Sequence, residues 1–257
     1  MAGERWDRFN TPEWYGKDYF VTHKGMKYRD ASGLVHGWSY ENPSGEMQAA
    51  DFVTRAWKKL FKPKNMLDVG TGRGTVVAYA RKNRIEAYGF DFSDWALTEG
   101  LYRGCSPEWV KVHDAAQPWP YDDESFDLVT ALDFFEHIYI EDLPFVESEL
   151  RRVARRWCFL EVAVAGTGGL QGETPEGYVL HKGEPVPLEL EANAVAGHVL
   201  VKPKSWWINR FEERGWKYRH DMLHMFSKLV YPPMIKNWWL NAILILEKTS
   251  SEEGVKK

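Results

Sequence analysis

The sequence predicts an α/β fold, a doubly wound and mostly parallel sheet, and three observations carry the prediction. Met66, Leu67 and Val69 form a short apolar run that ends abruptly at Gly70, Gly72 and Gly74, with a helical pattern after it. Ile85–Asp91 (IEAYGFD) is a second strand-like run, and it closes on an acid at roughly the separation from the glycine turn at which doubly wound folds place a carboxylate beside their ligand. Trp157–Val164 (WCFLEVAV) has the unbroken apolar character of a strand buried on both faces.

Residues 1–45 are rich in aromatics, with Trp6, Trp14, Tyr15, Tyr19, Phe20, Tyr28, Trp38 and Tyr40 set among glycines and charges. Disordered leaders are poor in aromatics, so this segment is expected to pack on the domain, either as a lid or as cover for a sheet edge. Residues 46–249 read as one domain. Met47, Ala50, Val53, Trp57 and Leu60 recur at three-to-four spacing and predict an amphipathic helix over Glu46–Phe61, entered after Pro43-Ser44. The first strand and the glycine turn lead into a helix over Thr75–Asn83 with a basic end, and Ser93 caps another that runs to about Leu101. Trp109–His113 is the third strand, Phe126–Leu132 the fourth, and Leu143–Val153 the helix behind it.

After the fifth strand the pattern breaks. Residues 165–201, with Gly168-Gly169 and Pro185-Val-Pro187, show no sustained period and read as a long excursion, either site-building or merely solvent-exposed. Lys202–Gly215 is a helix with Ser205 as cap, Trp206, Ile208 and Phe211 as its apolar face, and Gly215 as its stop. Trp216–Leu223 and Trp239–Glu247 are the last strands of seven, separated by an insertion over Met225–Trp238 that contains Tyr231-Pro232-Pro233. Residues 250–257 form a charged tail expected to fray.

At 257 residues and 44% hydrophobic content the chain suffices for one α/β domain with decorations. A formal net charge of −4 argues against a global attraction to nucleic acid. Cys105 and Cys158 lack metal-type pairing and are expected as free thiols in a reducing compartment. No apolar run reaches the length of a membrane span and MAGERWDRFN lacks a signal-peptide core, so a cytoplasmic protein is expected, with its oligomeric state open.

The glycine turn allows close approach of backbone to a ligand, and the following helix N-terminus points free N–H groups into the same crevice. A dinucleotide site uses G-x-G-x-x-G, whereas this turn reads D-x-G-x-G-x-G, with Asp68 at the strand end. That carboxylate would repel a pyrophosphate and suits a cationic ligand. The loop resembles motif I of the class I S-adenosylmethionine-dependent methyltransferases, whose acid lies near the methionine amino group. Further motifs follow in the family's order. Asp91-Phe92 is similar to its ribose-binding acid and adenine-side neighbour, and Val112-His113-Asp114-Ala115 to the acid that meets the adenine amine. Gln117–Val129 (QPWPYDDESFDLV) and Ala131–Ile138 (ALDFFEHI) are similar to its LPFPDxSFDLV and xxxxLEHI segments.

The resemblance covers roughly residues 63–164. It implies a seven-stranded sheet closed by an antiparallel hairpin, and S-adenosylmethionine as cofactor. It places Asp68, Gly70, Gly72 and Gly74 at the cofactor, with Asp91, Phe92, Asp114, Ala115 and Asp133 around the rest of it. Methyl transfer is an in-line displacement that needs alignment, shielding from water and, for a hydroxyl acceptor, loss of a proton. His137, just beyond the fourth strand, and His198, where the excursion rejoins the domain, are the candidate bases, each with a structural hydrogen-bonding role as the alternative. Asp133, Glu136 and His137 also resemble, with Asp in the first place, the E-x-x-E-H of ubiquinone-pathway O-methyltransferases, which implies a divalent cation; no metal is assigned on that basis. The expected activity is methylation of a small molecule or sugar at oxygen. RNA or protein methylation, with Arg151, Arg152, Arg155 and Arg156 as a patch, a non-catalytic cofactor-binding subunit, and a nicotinamide oxidoreductase are the alternatives.

Overall fold

Continuous apolar strands need cover on both faces, and the structure, a computed structural model, supplies it with helices on either side of a seven-stranded sheet. It describes residues 10–22, 27–29, 35–37, 43–166, 174–187, 190, 197–230 and 237–249. Trp6, Trp38, Tyr40, Gly168-Gly169, Tyr231-Pro232-Pro233 and the 250–257 tail lie outside the described residues, as do the side chains of Tyr28 and Met47.

The short strands β1 (Lys27–Arg29) and β2 (Val35–Gly37) pair antiparallel as a separate ribbon. Helix α1 (Pro43–Leu60) turns Val53, Ala56 and Trp57 inward and places Lys58 and Lys59 at its C-terminus, where the helix dipole favours cations. The central strand β3 (Asn65–Val69) leads through the glycine turn into α2 (Thr75–Lys82), then β4 (Glu86–Asp91) and α3 (Asp94–Leu97). Helix α3 is capped by Ser93 as expected, its Oγ accepting from Ala96 N at 3.1 Å, but it lasts little more than a turn. The chain folds back at Gly100, whose N–H donates to Trp95 O at 2.8 Å under the Trp95 ring.

Strand β5 (Val110–Val112) forms one sheet edge, followed by β6 (Phe126–Leu132), α4 (Leu143–Val153) and β7 (Ala154–Glu161). Strand β7 begins directly at the end of α4, three residues earlier than the apolar run, and carries Arg155 and Arg156 on its exposed start. The excursion contains a two-residue antiparallel pair, β8 (Tyr178–Val179) and β9 (Leu200–Val201). Helix α5 (Lys204–Glu213) buries Trp207 and Phe211, one position on from part of the expected face, since Trp206 is only partly covered.

The C-terminal region differs most from expectation. Strand β10 stops at Tyr218 (Trp216–Tyr218), and His220–Leu229 is a helix, α6, because Met222, Leu223 and Phe226 share the face that packs on the sheet. Residues Asn237–Ala242 are also helical (α7), and only Ile243–Lys248 forms the last strand, β11.

The sheet order is β10-β11-β7-β6-β3-β4-β5. Strands β7, β6, β3, β4 and β5 run parallel, while β11 is antiparallel to both β7 and β10. The two helical layers bury separate clusters, one around Val53, Trp57, Val77 and Phe226, the other around Phe135, Leu150, Trp207 and Phe211. Alternation along β3 sends Met66 to the first cluster and Leu67 and Val69 to the second. Chain order reverses between β3 and β6, so a crevice opens beyond the carboxyl ends of these two strands.

Candidate active site

The glycine turn sits at that crevice. Gly70, Gly72 and Gly74 all have positive φ, at 67°, 54° and 74°, a region costly for residues with a Cβ. At two of them there is also no room: a Cβ on Gly70 would lie 2.5 Å from the Phe134 ring, and one on Gly74 2.8 Å from Cys105 Sγ.

Asp68 is fixed by strand register. Thr130 stands opposite it on β6 and donates to Oδ1 at 2.6 Å, while Thr71, three residues on, donates to Oδ2 at 2.8 Å. Gly89 stands opposite it on β4, where a Cβ would lie 2.8 Å from the Thr71 side chain. Asp68 is 3% exposed, and lost hydration, aided by the nearby Asp91, outweighs the two hydroxyls and pushes its pKa up to about 6. Asp91 ends β4 with both oxygens held by backbone: Oδ2 accepts from Gly72 N and Oδ1 from Ser93 N, each at 2.9 Å. Burial also raises its pKa. The carboxylate thus ties the glycine turn to the cap of α3. Asp114 is exposed beyond β5 and accepts from Ala116 N at 2.9 Å, with buried Ala115 beside it.

One cavity of about 810 Å³ runs across these residues, within the size range of small-molecule sites. Asp68, Gly70, Gly72, Asp91, Phe92, Asp114, Ala115, Asp133 and His137 all line it, whereas Gly74 and His198 do not. The N-terminal segment supplies another wall through Asn10, Tyr15, Tyr19 and Phe20. Tyr15, Tyr19 and Phe20 are buried against Phe92, Trp95 and Ala96, and Ser93 Oγ donates to Tyr15 O at 2.6 Å.

The far end of the cavity is acidic. Asp133 has φ of 47°, an uncommon conformation for a residue with a side chain. Its carboxylate opens onto the cavity, yet the surrounding protein displaces enough water to push its pKa up to about 6. Glu161, at the end of β7, lines the same wall and is raised well above the ordinary range by burial and by Asp133.

His137 is held by a ring of hydrogen bonds. Gly197 O lies 2.9 Å from Nδ1 and can only accept, so Nδ1 carries the proton and Nε2 the lone pair. The Tyr15 hydroxyl, 3.0 Å from the same Nδ1, accepts from it and donates to Asn10 Oδ1 at 3.1 Å, and Asn10 Nδ2 donates to His137 O at 2.8 Å. Burial lowers the His137 pKa to about 4, so the ring is neutral at pH 7. His198 lies behind it, ring centroids 5.2 Å apart, and burial takes its pKa down to about 3. Glu136 is 1% exposed.

Sequence reading missed Thr71, Thr130, Gly89, Glu161 and the Asn10–Tyr15 contact with His137. Thr71 lay inside the glycine turn, and Gly89 and Glu161 inside strands read from the sequence; what hid them is that Thr130, Gly89, Glu161 and the Asn10–Tyr15 pair reach the site through strand register or long-range packing. The four arginines considered as a surface patch are all engaged within the chain. Arg151 donates to Gly215 O and Thr249 O, Arg152 pairs with Glu149 and Asp123, Arg155 with Asp127 and Arg156 with Glu247. Cys105 and Cys158 are buried and free, and burial raises both thiols, Cys105 to about 11. Among the described residues no helix is long and apolar enough to cross a membrane.

The family model described as a methyltransferase domain matches residues 44–221. Among solved structures, the chain is similar to the plantazolicin methyltransferase BpumL in complex with a monoazolic desmethylPZN analog and SAH, with 13% identity, TM-score 0.53, and coverage of 82% of this chain and 88% of that one. It is similar to magnesium protoporphyrin IX methyltransferase (ChlM) from Synechocystis PCC 6803 with bound SAH, with 16% identity, TM-score 0.51, and coverage of 80% and 84%. It matches the PH0226 protein from Pyrococcus horikoshii OT3 at 20% identity and TM-score 0.40, over 48% of this chain, and spans only 60% of that protein. At such identities the likeness is one of fold.

Proposed function

The chain belongs to the methyltransferase-domain family, and from that membership we propose that it is an S-adenosylmethionine-dependent methyltransferase acting on a small molecule at oxygen. The observation that carries the reading is the single cavity that joins the Asp68–Asp91 half to the Asp133–His137–Glu161 half, with Tyr15 and Phe20 as a shared wall. The residues fit the cofactor. Three positive-φ glycines leave backbone bare at the crevice, Asp91 is preset by two N–H groups to accept from vicinal hydroxyls, and buried Asp68 has among the described residues no cationic partner, which a methionine ammonium would provide.

Bound there, S-adenosylmethionine supplies a methyl group on an electron-poor sulfonium. The chain does the rest by placement. Asp91 and the glycine turn would hold the adenosine end, Phe92 and Ala115 would offer apolar surface to the base, and Asp114 would accept from its amine. The wall formed by Tyr15, Tyr19 and Phe20 would shield the transfer from water and suit a compact acceptor. A hydroxyl acceptor loses its proton at the His137 corner. His198, off the cavity, supports that corner from behind.

Two measurements test this. Calorimetry with S-adenosylhomocysteine should show binding that Asp91→Ala weakens by about 2 kcal/mol, roughly 30-fold, because the hydroxyls lose a charged acceptor. Incubation with methyl-labelled S-adenosylmethionine and cell extract should place label in the metabolite fraction. Absence of any binding would overturn the cofactor assignment, and label confined to RNA or protein would overturn the acceptor class.

A further inference from the structure

Glu136, His137 and His198 come together from two parts of the chain. Glu136 and His137 lie in the short turn Phe135–His137 after β6, and His198 lies two residues before β9, held close because Val199 N donates to Glu136 O at 2.8 Å. One donor atom from each side chain lies within 4.8 Å of the other two.

In Glu136 and His137 one polar side-chain atom is tied down and the other is left for a ligand. Glu136 Oε1 accepts from Ala163 N at 3.2 Å, but Oε2 is buried with no hydrogen-bond partner among the described residues. His198 Nδ1 is likewise buried with no partner. His137 spends its Nδ1 proton on Gly197 O and Tyr15 Oη and keeps the Nε2 lone pair. An outer hydrogen bond from the distal ring nitrogen to a carbonyl is the usual support of a metal-ligating imidazole, since it fixes tautomer and orientation. A buried carboxylate oxygen and a buried imidazole nitrogen left unbonded are both destabilising, and a cation between them would give each a partner.

We propose that Glu136, His137 and His198 form a binding site for a divalent transition-metal ion of the zinc or cobalt type. Two nitrogen donors in three favour such ions over magnesium or calcium, which prefer all-oxygen shells. Ligands at about 2.1 Å on a four-coordinate ion stand roughly 3.4 Å apart, so side-chain rotations of about an ångström close the set. Asp133, which the sequence grouped with Glu136 and His137, instead faces the cavity. The ion would join the turn after β6 to the end of the excursion and hold Nε2 of His137, with its other two ligands, Glu136 and His198, standing off the cavity. The site stands independently of the acceptor class.

The test is direct titration of the full chain, stripped with chelator and desalted, with zinc by calorimetry and cobalt by visible absorption. The expected result is one equivalent bound at micromolar affinity or tighter, with cobalt d–d bands of low-coordinate type. Glu136→Gln and His198→Gln should each weaken binding at least 100-fold while S-adenosylhomocysteine binding persists, which separates this outcome from a failure of the cofactor site. His220 and His224, exposed one turn apart on α6, are the adventitious alternative, so His220→Ala/His224→Ala should leave the affinity unchanged. No binding of either ion by the wild type, or binding lost only in the His220/His224 variant, overturns the proposal.

Discussion

Replacing Asp68 by Asn removes a buried charge and keeps the hydrogen bonds around it. The amide oxygen can still accept from Thr130, and Thr71 can turn its hydroxyl to accept from the new NH₂. The Asp68 pKa stands at about 6, against 3.8 in the unfolded chain, so the folded state disfavours the ionised form. A rise of about 2 units corresponds to about 3 kcal/mol. With the folded value above the unfolded one, the penalty is absent below about pH 3.8, grows as pH rises, and is complete above about 6. Cofactor-free Asp68→Asn should therefore match the wild type at pH 4 and exceed it by up to about 3 kcal/mol at pH 8. Taking the difference between the two proteins cancels the more distant raised acids Asp133, Glu136 and Glu161, while Asp91, which shares the Asp68 field, shifts with it.

Binding should run the opposite way. If Asp68 meets the cationic amino group of the cofactor, the wild type must lose a proton to bind at pH 5, where only about a tenth of Asp68 is ionised. Its affinity for S-adenosylhomocysteine should then be about tenfold weaker at pH 5 than at pH 8. Asp68→Asn should bind weakly at both pH values and show a flatter profile. Urea titrations at pH 4 and 8, and calorimetry at pH 5 and 8 in buffers of different ionisation enthalpy, measure both effects. A variant less stable than wild type at pH 8, or one whose affinity and pH dependence are unchanged, would refute the reasoning.

Two further predictions concern packing around the site. Glu147 on α4, fully buried, pairs with Arg210 and Arg214 of α5 and its close neighbourhood, so Glu147→Ala should strip both guanidinium groups of their counter-charge and lower stability by about 3 kcal/mol; a loss under about 1 kcal/mol in urea denaturation would show that solvent screens the arginines. Tyr15→Phe removes the hydroxyl that links the N-terminal segment to His137 and Asn10. On the lid reading it should weaken S-adenosylhomocysteine about fivefold, roughly 1 kcal/mol, with the urea midpoint nearly unmoved, and an unchanged affinity would separate residues 10–22 from cofactor binding.

The glycine-turn half of the candidate site was legible because its signals are local. Gly70, Gly72 and Gly74 reveal a positive-φ turn wherever they stand, and an acid at the end of the next strand is a short-range cue, so Asp68 and Asp91 could be placed from spacing alone. The same holds for the central strand β7, whose apolar run over Trp157–Leu160 follows from burial on both faces. At the C-terminus the cues were ambiguous. Met222, Leu223 and Phe226 suit a strand or a helix over so short a stretch, and the helix formed because that face lands on the same cluster as Trp57 and Val77.

The acceptor side depended on contacts that no spacing encodes. Thr130 meets Asp68 only because β6 pairs with β3 in one register, 62 residues apart in sequence. Tyr15 meets His137 across 122 residues, and His198 reaches Glu136 and His137 only because the excursion returns to the turn after β6. Sequence alone set the glycine turn, the two carboxylates and the family of the fold, since each rests on backbone conformation and burial period. Which histidine faces the cavity, which stands behind it, and which buried atoms are left without partners were decided by the tertiary structure, because side chains from distant segments share one low-dielectric pocket only after the sheet has formed.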